Sequence, residues 1–434
     1  MSDSTFHRAL RIWGRDGFIS LLRAGVRIKC MRPVVERWSA EDMIPTDEVQ
    51  RRCAEEGRLW EYDGEFDSDE IKKEIQSQHE DSDYLFRVRE AGYDWSPRLV
   101  CELRDASVLG EDAFVLNSDG DLVCRSVSPV NPQEDWGLYS RETGLRFRAL
   151  RYKKDVLSSV REPTRIENAM SMVTFIDIYG HWLQEYLPML LHLSVYEEKT
   201  GREPDIIVDK NPPDWMLETL RILGYPEERV VEWNNDFAVV DRLVLPNASR
   251  VAHTPRRCRM SPVEYRWLRE QFLDAVEGTD TSKNERFYIS RQGMRNPSGM
   301  SAERYVTNFD EVREVLSDFD IEVVRPETMT IEEQVRKFSR GGLFVGPRGS
   351  GLHNTLFAKN SKTVEIYTPN TRHHIQHLFD YALGHEWTYI IGSEYDKSTD
   401  SEEDRNMPFR VNPDVLRSKL EDVLSDEKTT NDAS

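Results

Sequence analysis

Two side chains that could exchange a proton lie four positions apart in the segment YGHWLQEYLPML. At this spacing His181 and Glu185 share one face of a helix. An imidazole beside a carboxylate can remove a proton from a hydroxyl group, so the pair is a candidate for general base catalysis. A helix histidine held by a neighbouring Glu, with no catalytic role, is the alternative interpretation.

A glycine-rich loop follows an apolar run in LFVGPRGSGLHNTLFA. Glycine has no Cβ, so the amides around Gly349 and Gly351 could approach a phosphate closely if a helix begins there. The spacing is neither that of GxGxxG nor that of a Walker loop with its lysine. A loop that only connects a strand to a helix is therefore the alternative.

Charged side chains near this loop extend the candidate anion site. Arg348 in the loop and Arg291 after FYIS both fall at the carboxyl ends of predicted parallel strands, where α/β sheets bind ligands. Their guanidinium groups could neutralise a diphosphate. Glu365, inside TVEIY, could accept hydrogen bonds from both hydroxyls of a ribose. Surface arginines on loops, and a strand Glu paired with an Arg, are the alternatives.

Metal-binding patterns are weak in this sequence. His373, His374 and His377 form a cluster, but it has neither a Glu in the middle position nor a clear third ligand. The acidic pairs around Gly120 and Phe319 fall at a predicted turn and ahead of a predicted strand, which indicates structural roles. The sequence therefore requires no metal or cofactor, and a divalent cation stays possible without being indicated.

Short apolar runs alternate with amphipathic stretches in two parts of the chain, which predicts parallel sheets covered by helices. The first part has the strand Met172 to Ile178, the helix His181 to Tyr196, the strand Asp205 to Val208, the helix Pro213 to Leu223 and strands at Val230 and Leu243. The second has the strand FYISR, the helix Asp310 to Leu316, the strand IEVV, the helix Thr330 to Ser339 and the strands LFVG and TVEIY. The polar stretch 276–285 separates them, so a ligand cleft is expected between two Rossmann-type domains.

The prediction divides the chain into five segments. They are a basic amphipathic segment (1–37), a helical and β-rich extension (38–160), two Rossmann-like domains (161–275 and 284–395) and a tail with a helix (396–434). A turn at Asn117 to Gly120 is expected between two strands of the extension. The tail helix is expected to begin at Asn412, with disorder after Ser425.

Composition limits the classes of protein further. The 434 residues carry a net charge of −20, which argues against nucleic acid as a partner, and the acidic, arginine-rich balance is typical of proteins that work in high salt. Five widely spaced cysteines indicate a reducing compartment, and no apolar stretch is long enough to span a membrane. A cytoplasmic protein is expected, in peripheral contact with the inner face of a membrane if the basic residues of segment 6–37 meet lipid phosphates.

Three motifs resemble the signatures of the glycosyltransferase 61 family, over roughly residues 100–387. GHWLQEYLP is similar to the first signature, with Glu185 in place of the usual Asp. YISRQGMRN, with Arg304 and Asn308, is similar to the second, and IEEQVRKFSRGGLFVGPRGSGLHN followed by TVEIY is similar to the third. The loop His and Ala of the family are Arg348 and Ser350 here, so a role that needs an imidazole at that position is not carried over.

The resemblance implies a GT-B-like fold and transfer of a sugar, with inversion, from a nucleotide sugar to a glycan, a glycolipid or a protein-linked glycan. The first Rossmann-like domain would bind the acceptor and the second the donor. The implied residues are His181 and Glu185 for catalysis; Arg291, Arg348, Gly349, Ser350, Gly351 and Leu352 for the diphosphate; and Ser290, Arg295, His353, Asn354 and Glu365 for the nucleotide and sugar.

Two other functions stay open. A protein that binds a nucleotide sugar or glycan without turnover would use the same scaffold, and its His and Glu would be incidental. A sugar-nucleotide epimerase or dehydrogenase would need a GxGxxG after the first strand, which the sequence lacks.

Overall fold

A computed structural model describes residues 43–44, 46–62, 98–110, 113–123, 162–174, 178–234, 237–246, 250–251, 259–260, 262–293, 304–369, 375–393 and 408–431. The predicted basic segment 6–37, Arg295, His373 and His374 lie outside these ranges. Two large sheets, one in each half of the described chain, carry the candidate site residues.

The first sheet has nine strands within the described ranges. They are β1 (Met43–Ile44), β2 (Leu59–Glu61), β3 (Leu99–Leu109), β4 (Phe114–Leu116), β5 (Leu122–Val123), β6 (Thr164–Ser171), β7 (Asp205–Val208), β8 (Val230–Glu232) and β9 (Phe237–Pro246). Their order is β1-β5-β4-β3-β9-β6-β7-β8, with β2 beside β3. Strands β9, β6, β7 and β8 are parallel, but β3 runs antiparallel to β9. The sheet is therefore mixed, not purely parallel as expected, and strands of the predicted extension belong to it.

The helices of this half are α1 (Thr46–Glu55), α2 (Tyr179–His181), α3 (Met189–Thr200) and α4 (Asp214–Ile222), with a π-helix over Trp182–Tyr186 and a 3₁₀ turn over Glu227–Arg229. The single helix expected from His181 to Tyr196 is interrupted, because the amide of Leu187 donates to the carbonyl of Trp182 and Pro188 precedes α3. The strand predicted over Met172 to Ile178 is not observed at its described residues, 172–174 and 178. The observed strand β6 is more polar and lies earlier, because β7 and β9 pair with it on both sides and outweigh local propensity.

The second sheet is parallel throughout its described strands. After a two-stranded ribbon, β10 (Arg250–Val251) and β11 (Arg259–Met260), its strands are β12 (Glu285–Ile289), β13 (Glu322–Val324), β14 (Gly341–Pro347), β15 (Lys362–Tyr367) and β16 (Glu386–Ile391). The order is β13-β12-β14-β15-β16. The chain thus builds outward in both directions from β12 and β14, which is a doubly wound sheet with its switch point between those two strands.

The helices of this half are α5 (Pro262–Ala275), α6 (Phe309–Asp318), α7 (Ile331–Phe338), α8 (Ile375–Leu383) and α9 (Pro413–Asn431), with 3₁₀ helices over Pro326–Thr328 and Ser350–Phe357. Thr330 and Glu333 form a capping box at the start of α7. Asn412 caps α9 as predicted, since its Oδ1 accepts from the amide of Asp414 at 2.9 Å. Helix α9 continues beyond Ser425, where disorder was expected.

The two halves share one hydrophobic cluster, in which Trp182 and Leu187 pack with Phe287, Phe344 and Leu352. Helix α5, which the sequence analysis missed, also joins the halves: its buried Arg269 donates from Nη1 to the carbonyls of Ala358 and Leu383. The predicted α/β fold, with two Rossmann-type sheets facing each other, is confirmed. No helix in the described ranges is both long and apolar enough to cross a bilayer.

Candidate functional site

The carboxyl ends of the two sheets meet at Gly180. Strand β6 leads to α2, and β14 leads to the glycine-rich loop, so each connection leaves its sheet at a switch point. A Cβ on Gly180 would lie 2.7 Å from Cδ2 of His353 and 2.8 Å from Oγ of Ser350. Gly180 therefore permits an approach between the halves that any other residue would obstruct.

The predicted proton-transfer pair forms in this position. Nδ1 of His181 lies 2.8 Å from Oε1 of Glu185, at the junction of α2 and the π-helix. Both side chains are partly exposed, His181 by 24% and Glu185 by 16%. When the carboxylate is ionised it accepts a hydrogen bond from the N–H at Nδ1, and this tautomer leaves the lone pair of the ring on Nε2. The arrangement can therefore present a basic nitrogen that a carboxylate orients.

Three arginines cluster at the opposite side of the contact. Arg291 follows β12, Arg348 follows β14, and Arg304 precedes α6. Burial and the two other guanidinium groups lower the pKa of Arg304 to about 9, and burial also lowers the pKa of Arg291. Arg291 is only 7% exposed. Among the described residues, the buried Nε of Arg304 has no hydrogen-bond partner. The cluster therefore concentrates positive charge and N–H donors, and a bound anion would neutralise the charge and accept hydrogen bonds from the donors.

The glycine-rich loop supports this cluster at close range. A Cβ on Gly349 would lie 2.2 Å from Nη1 of Arg291, so only glycine leaves room for the guanidinium group. A Cβ on Gly351 would meet Cγ2 of Ile289 at 2.8 Å. The expected helix after the loop is a 3₁₀ helix, and its Leu352 amide donates to the carbonyl of Gly349 at 3.0 Å. That amide is thus used within the loop and not, as predicted, by a diphosphate.

Glu365 lies in β15 and is 1% exposed. Its Oε2 accepts a hydrogen bond from Nε1 of Trp387 at 3.1 Å. Burial raises its pKa to about 7, although Arg348 and Arg304 are close enough for their charges to oppose this shift. The predicted contact with a ribose therefore has no open path to this carboxylate in the structure.

Two chains of hydrogen bonds connect the halves. The hydroxyl of Tyr179 donates to Oδ1 of Asn354 at 2.9 Å, and Nδ2 of Asn354 donates to Gln334. Asn354 is fully buried, so its side chain holds the halves together and is not accessible to a sugar. A contact of Asn354 with the nucleotide or sugar was predicted.

The second chain passes through His353. Nε2 of Gln184 lies 3.1 Å from the imidazole, and Nδ1 of His353 lies 2.7 Å from Oε1 of Gln376. Gln376 and Thr355 in turn donate to Oδ1 of the buried Asp380. Burial raises the pKa of Asp380 to about 8, so this carboxyl is largely neutral at neutral pH.

The structure thus brings most predicted site residues to one junction. His181 and Glu185 lie on one side, and Arg291, Arg348, Gly349, Ser350 and Gly351 lie on the other, with the buried Ser290 directly before Arg291. The sequence analysis missed the contact made by Gly180, although GHW carries this glycine. It also left Arg304 out of the site, although that residue belongs to the second signature.

Metal ligands do not converge in the described ranges. No three His, Cys, Asp or Glu side chains lie there in a group that could hold a metal ion. His377 packs its ring 4.5 Å from that of Trp387.

Comparison with known proteins agrees with the motifs. Residues 179–364 match the sequence model of the glycosyltransferase 61 family. No curated protein matches the chain significantly. Two solved structures are similar at low identity, each with a TM-score of 0.27. One is E. coli heptosyltransferase WaaC with ADP-2-deoxy-2-fluoro heptose, at 10% identity over 60% of this chain and 99% of that one. The other is the iron-containing dodecameric glycosyltransferase TibC from enterotoxigenic E. coli H10407, at 11% identity over 65% and 78%.

The family match spans the acid–base pair, the three arginines and the glycine-rich loop. The resemblance drawn from the motifs is confirmed. Residues 179–364 are therefore similar to the glycosyltransferase 61 family.

Proposed function

We propose that the protein is an inverting glycosyltransferase that moves a sugar from a nucleotide sugar to a hydroxyl group of a glycan, a lipid-linked glycan or a protein-linked glycan. The transferred sugar would be a hexose, a pentose or an N-acetylhexosamine, in the assembly of a surface polysaccharide or a glycoprotein glycan. One observation carries the proposal: an oriented acid–base pair lies across a close contact from a cluster of three arginines. Transfer from a diphosphate needs a base for the acceptor and positive charge for the leaving group.

The reaction would be a single displacement. Nε2 of His181, whose ring Glu185 orients through Nδ1, takes the proton of the acceptor hydroxyl. The acceptor oxygen then forms a bond to the anomeric carbon while the bond from that carbon to the diphosphate oxygen breaks. The electron pair of the broken bond stays on the diphosphate, and Arg291, Arg304 and Arg348 stabilise its charge. Attack opposite the leaving group inverts the anomeric configuration.

The partners follow from this chemistry. The donor is a nucleotide sugar that binds at the second sheet, and the acceptor binds near His181 at the first. The net charge of −20 disfavours nucleic acid. Segment 6–37, which is rich in arginine, would hold the protein at the cytoplasmic face of a membrane if the acceptor is lipid-linked.

A panel of nucleotide sugars tests the proposal. Each donor is incubated with the full chain and with extracted glycans and glycolipids, and release of the nucleoside diphosphate is measured. We expect one donor to be consumed, with a product of inverted anomeric configuration by NMR. Binding of a donor without any turnover would instead identify a nucleotide-sugar-binding protein, and a retained configuration would exclude the single displacement.

A further inference from the structure

Glu185 lies in an uncommon kind of helical turn, the π-helix over Trp182–Tyr186. Single π turns occur mostly within longer helices and are frequent at functional sites. In an α-helix the carbonyl of Gln184 would accept from the amide of residue 188. That residue is Pro188, which has no N–H and whose ring clashes with the carbonyl four positions earlier. Because Gln184 is only 1% exposed, its carbonyl needs a donor from elsewhere in the protein.

The hydroxyl of Tyr265, on α5, is such a donor. It donates to the carbonyl of Gln184 at 2.6 Å, and the Tyr265 side chain is fully buried. The bond ties the residue directly before Glu185 to a helix of the second half. It therefore holds the backbone from which the carboxylate of Glu185 reaches Nδ1 of His181, 2.8 Å away.

The side chain of Gln184 is held by the second half as well. Its Nε2 lies 3.1 Å from both ring nitrogens of His353. The rings of His353 and Tyr265 both pack edge-on against Phe379, with centroid distances of 5.4 Å and 5.1 Å. These four residues form a closed ring of contacts. Since His353 belongs to the 3₁₀ helix after the glycine-rich loop, the contacts fix the position of Glu185 relative to that loop.

We propose that Tyr265 is a positioning residue for the His181–Glu185 pair: its hydroxyl takes the place of the amide that Pro188 lacks and holds Glu185 where it orients the imidazole. The inference rests on the proposed function, because it gives Tyr265 a part in removing the proton of the acceptor. Tyr265 is buried and acts through the pair, without touching a substrate. Loss of its hydroxyl should therefore slow proton transfer and leave the donor site intact.

Kinetics and titration calorimetry of Tyr265→Phe in the full chain test the inference. The substrate is the nucleotide sugar that the wild-type protein consumes, and the calorimetric probe is its nucleoside diphosphate. We expect kcat to fall about tenfold, because Glu185 no longer orients His181. The Kd of the diphosphate should stay within about twofold of the wild-type value. In Glu185→Ala, which has no carboxylate to position, adding Tyr265→Phe should lower kcat by less than about twofold.

Tyr196→Phe is the matched control. It removes the hydroxyl of another fully buried tyrosine, which donates to Oε2 of Glu102 at 2.5 Å. Each substitution leaves a buried acceptor without this donor, so both should lower Tm. Only Tyr265→Phe should lower kcat, since the hydroxyl of Tyr196 bonds to β3 and not to the turn that carries Glu185.

A second substitution keeps the test decisive if Tyr265→Phe alone fails to fold. Pro188→Ala supplies an amide four residues after Gln184, so the carbonyl regains a donor within its own helix. We expect Tyr265→Phe combined with Pro188→Ala to fold and to keep a lowered kcat, because an α-helical turn replaces the one that positions Glu185. Full kcat in this double variant would overturn the inference.

The tautomer of His181 provides a readout that does not require turnover. In protein labelled with ¹⁵N-histidine at alkaline pH, NMR should show the Nδ1–H form in the wild type and a shift toward the Nε2–H form in Tyr265→Phe. His181→Ala assigns the signal.

The outcomes that overturn the inference differ from those that overturn the proposed function. An unchanged tautomer in Tyr265→Phe, or an equal loss of kcat in Tyr265→Phe and Tyr196→Phe, would overturn the positioning role alone. A full effect of Tyr265→Phe in the Glu185→Ala background would overturn it too, because Tyr265 would then act by another route. Absence of donor turnover by the wild-type protein would overturn the proposed function, and the tautomer would still test whether Tyr265 positions the pair.

Discussion

The two sides of the junction at Gly180 differ in how they hold charge. On the first sheet, His181 and Glu185 are partly exposed and are hydrogen-bonded to each other at the start of a helix. On the second, Arg291 and Glu365 are almost fully buried, and burial has shifted their pKa values. A base that removes a proton from an acceptor must be reachable by that acceptor. Arginines that stabilise the charge of a leaving group are most effective when they are fixed and shielded from water.

Substitution of His181 or Glu185 should separate proton transfer from donor binding most clearly. We expect His181→Ala to lower kcat by about 10²–10⁴-fold, because proton removal from the acceptor loses its base. Glu185→Gln should have a smaller effect, since the amide still orients the ring. Donor turnover at saturating acceptor measures both, and Glu198→Gln, an exposed carboxylate on α3, is the control. Full activity of His181→Ala would contradict the role of His181 as the base.

Substitution of Arg348, at the end of the second sheet, should weaken donor binding. We expect Arg348→Ala to raise the donor Kd about 10–100-fold, because one charge-assisted contact to the diphosphate is lost. Titration calorimetry measures the change, and Arg313→Ala, on the exposed surface of α6, is the matched control. An unchanged Kd in Arg348→Ala would place the diphosphate elsewhere.

The contact between the two sides can be disturbed without removing a charge. Gly180→Ala places a methyl group against His353 and Ser350, so we expect the free energy of unfolding to fall by about 1–3 kcal/mol and turnover to fall with it. Denaturant unfolding and kcat report the two effects. If the clash is the cause, adding His353→Ala should recover part of the lost stability, and strict additivity of the two changes would contradict it.

The last prediction concerns stability alone and involves the buried carboxyl of Asp380. The pKa of Asp380 is about 8 in the fold, against 3.8 for an unperturbed Asp. The unfolded state therefore releases this proton first as the pH rises, so stability falls between about pH 4 and pH 8. Asp380→Asn should remove that part of the fall and raise Tm at pH 8 relative to the wild type. Parallel Tm profiles from pH 5 to pH 8 would contradict this assignment.

The second half of the chain was predictable because its local signals agree with its tertiary structure. The runs FYIS, LFVG and TVEIY are buried on both faces and form strands where expected. Helix α7 begins at the capping box that its sequence specifies. Arg291 and Arg348 could therefore be placed at the carboxyl ends of parallel strands.

The first half was less predictable because its strands are determined by pairing between segments that are far apart in the sequence. Strand β6 is polar at its start and is held by β7 and β9, and β3 from the extension completes the same sheet. The burial of Glu365 and Asn354 could not be predicted either, since the strand TVEIY and the loop that ends in LHN do not specify which element covers them. The contact at Gly180 depends on the arrangement of both halves, and neither segment specifies it alone.

The donor Kd of His181→Ala tests the central claim most directly, because that claim divides proton transfer and donor binding between the two sides. The account predicts a Kd within about twofold of the wild-type value in a protein that no longer consumes the donor. A loss of donor affinity as large as that of Arg348→Ala would contradict the division, because it would place His181 in the binding site for the diphosphate.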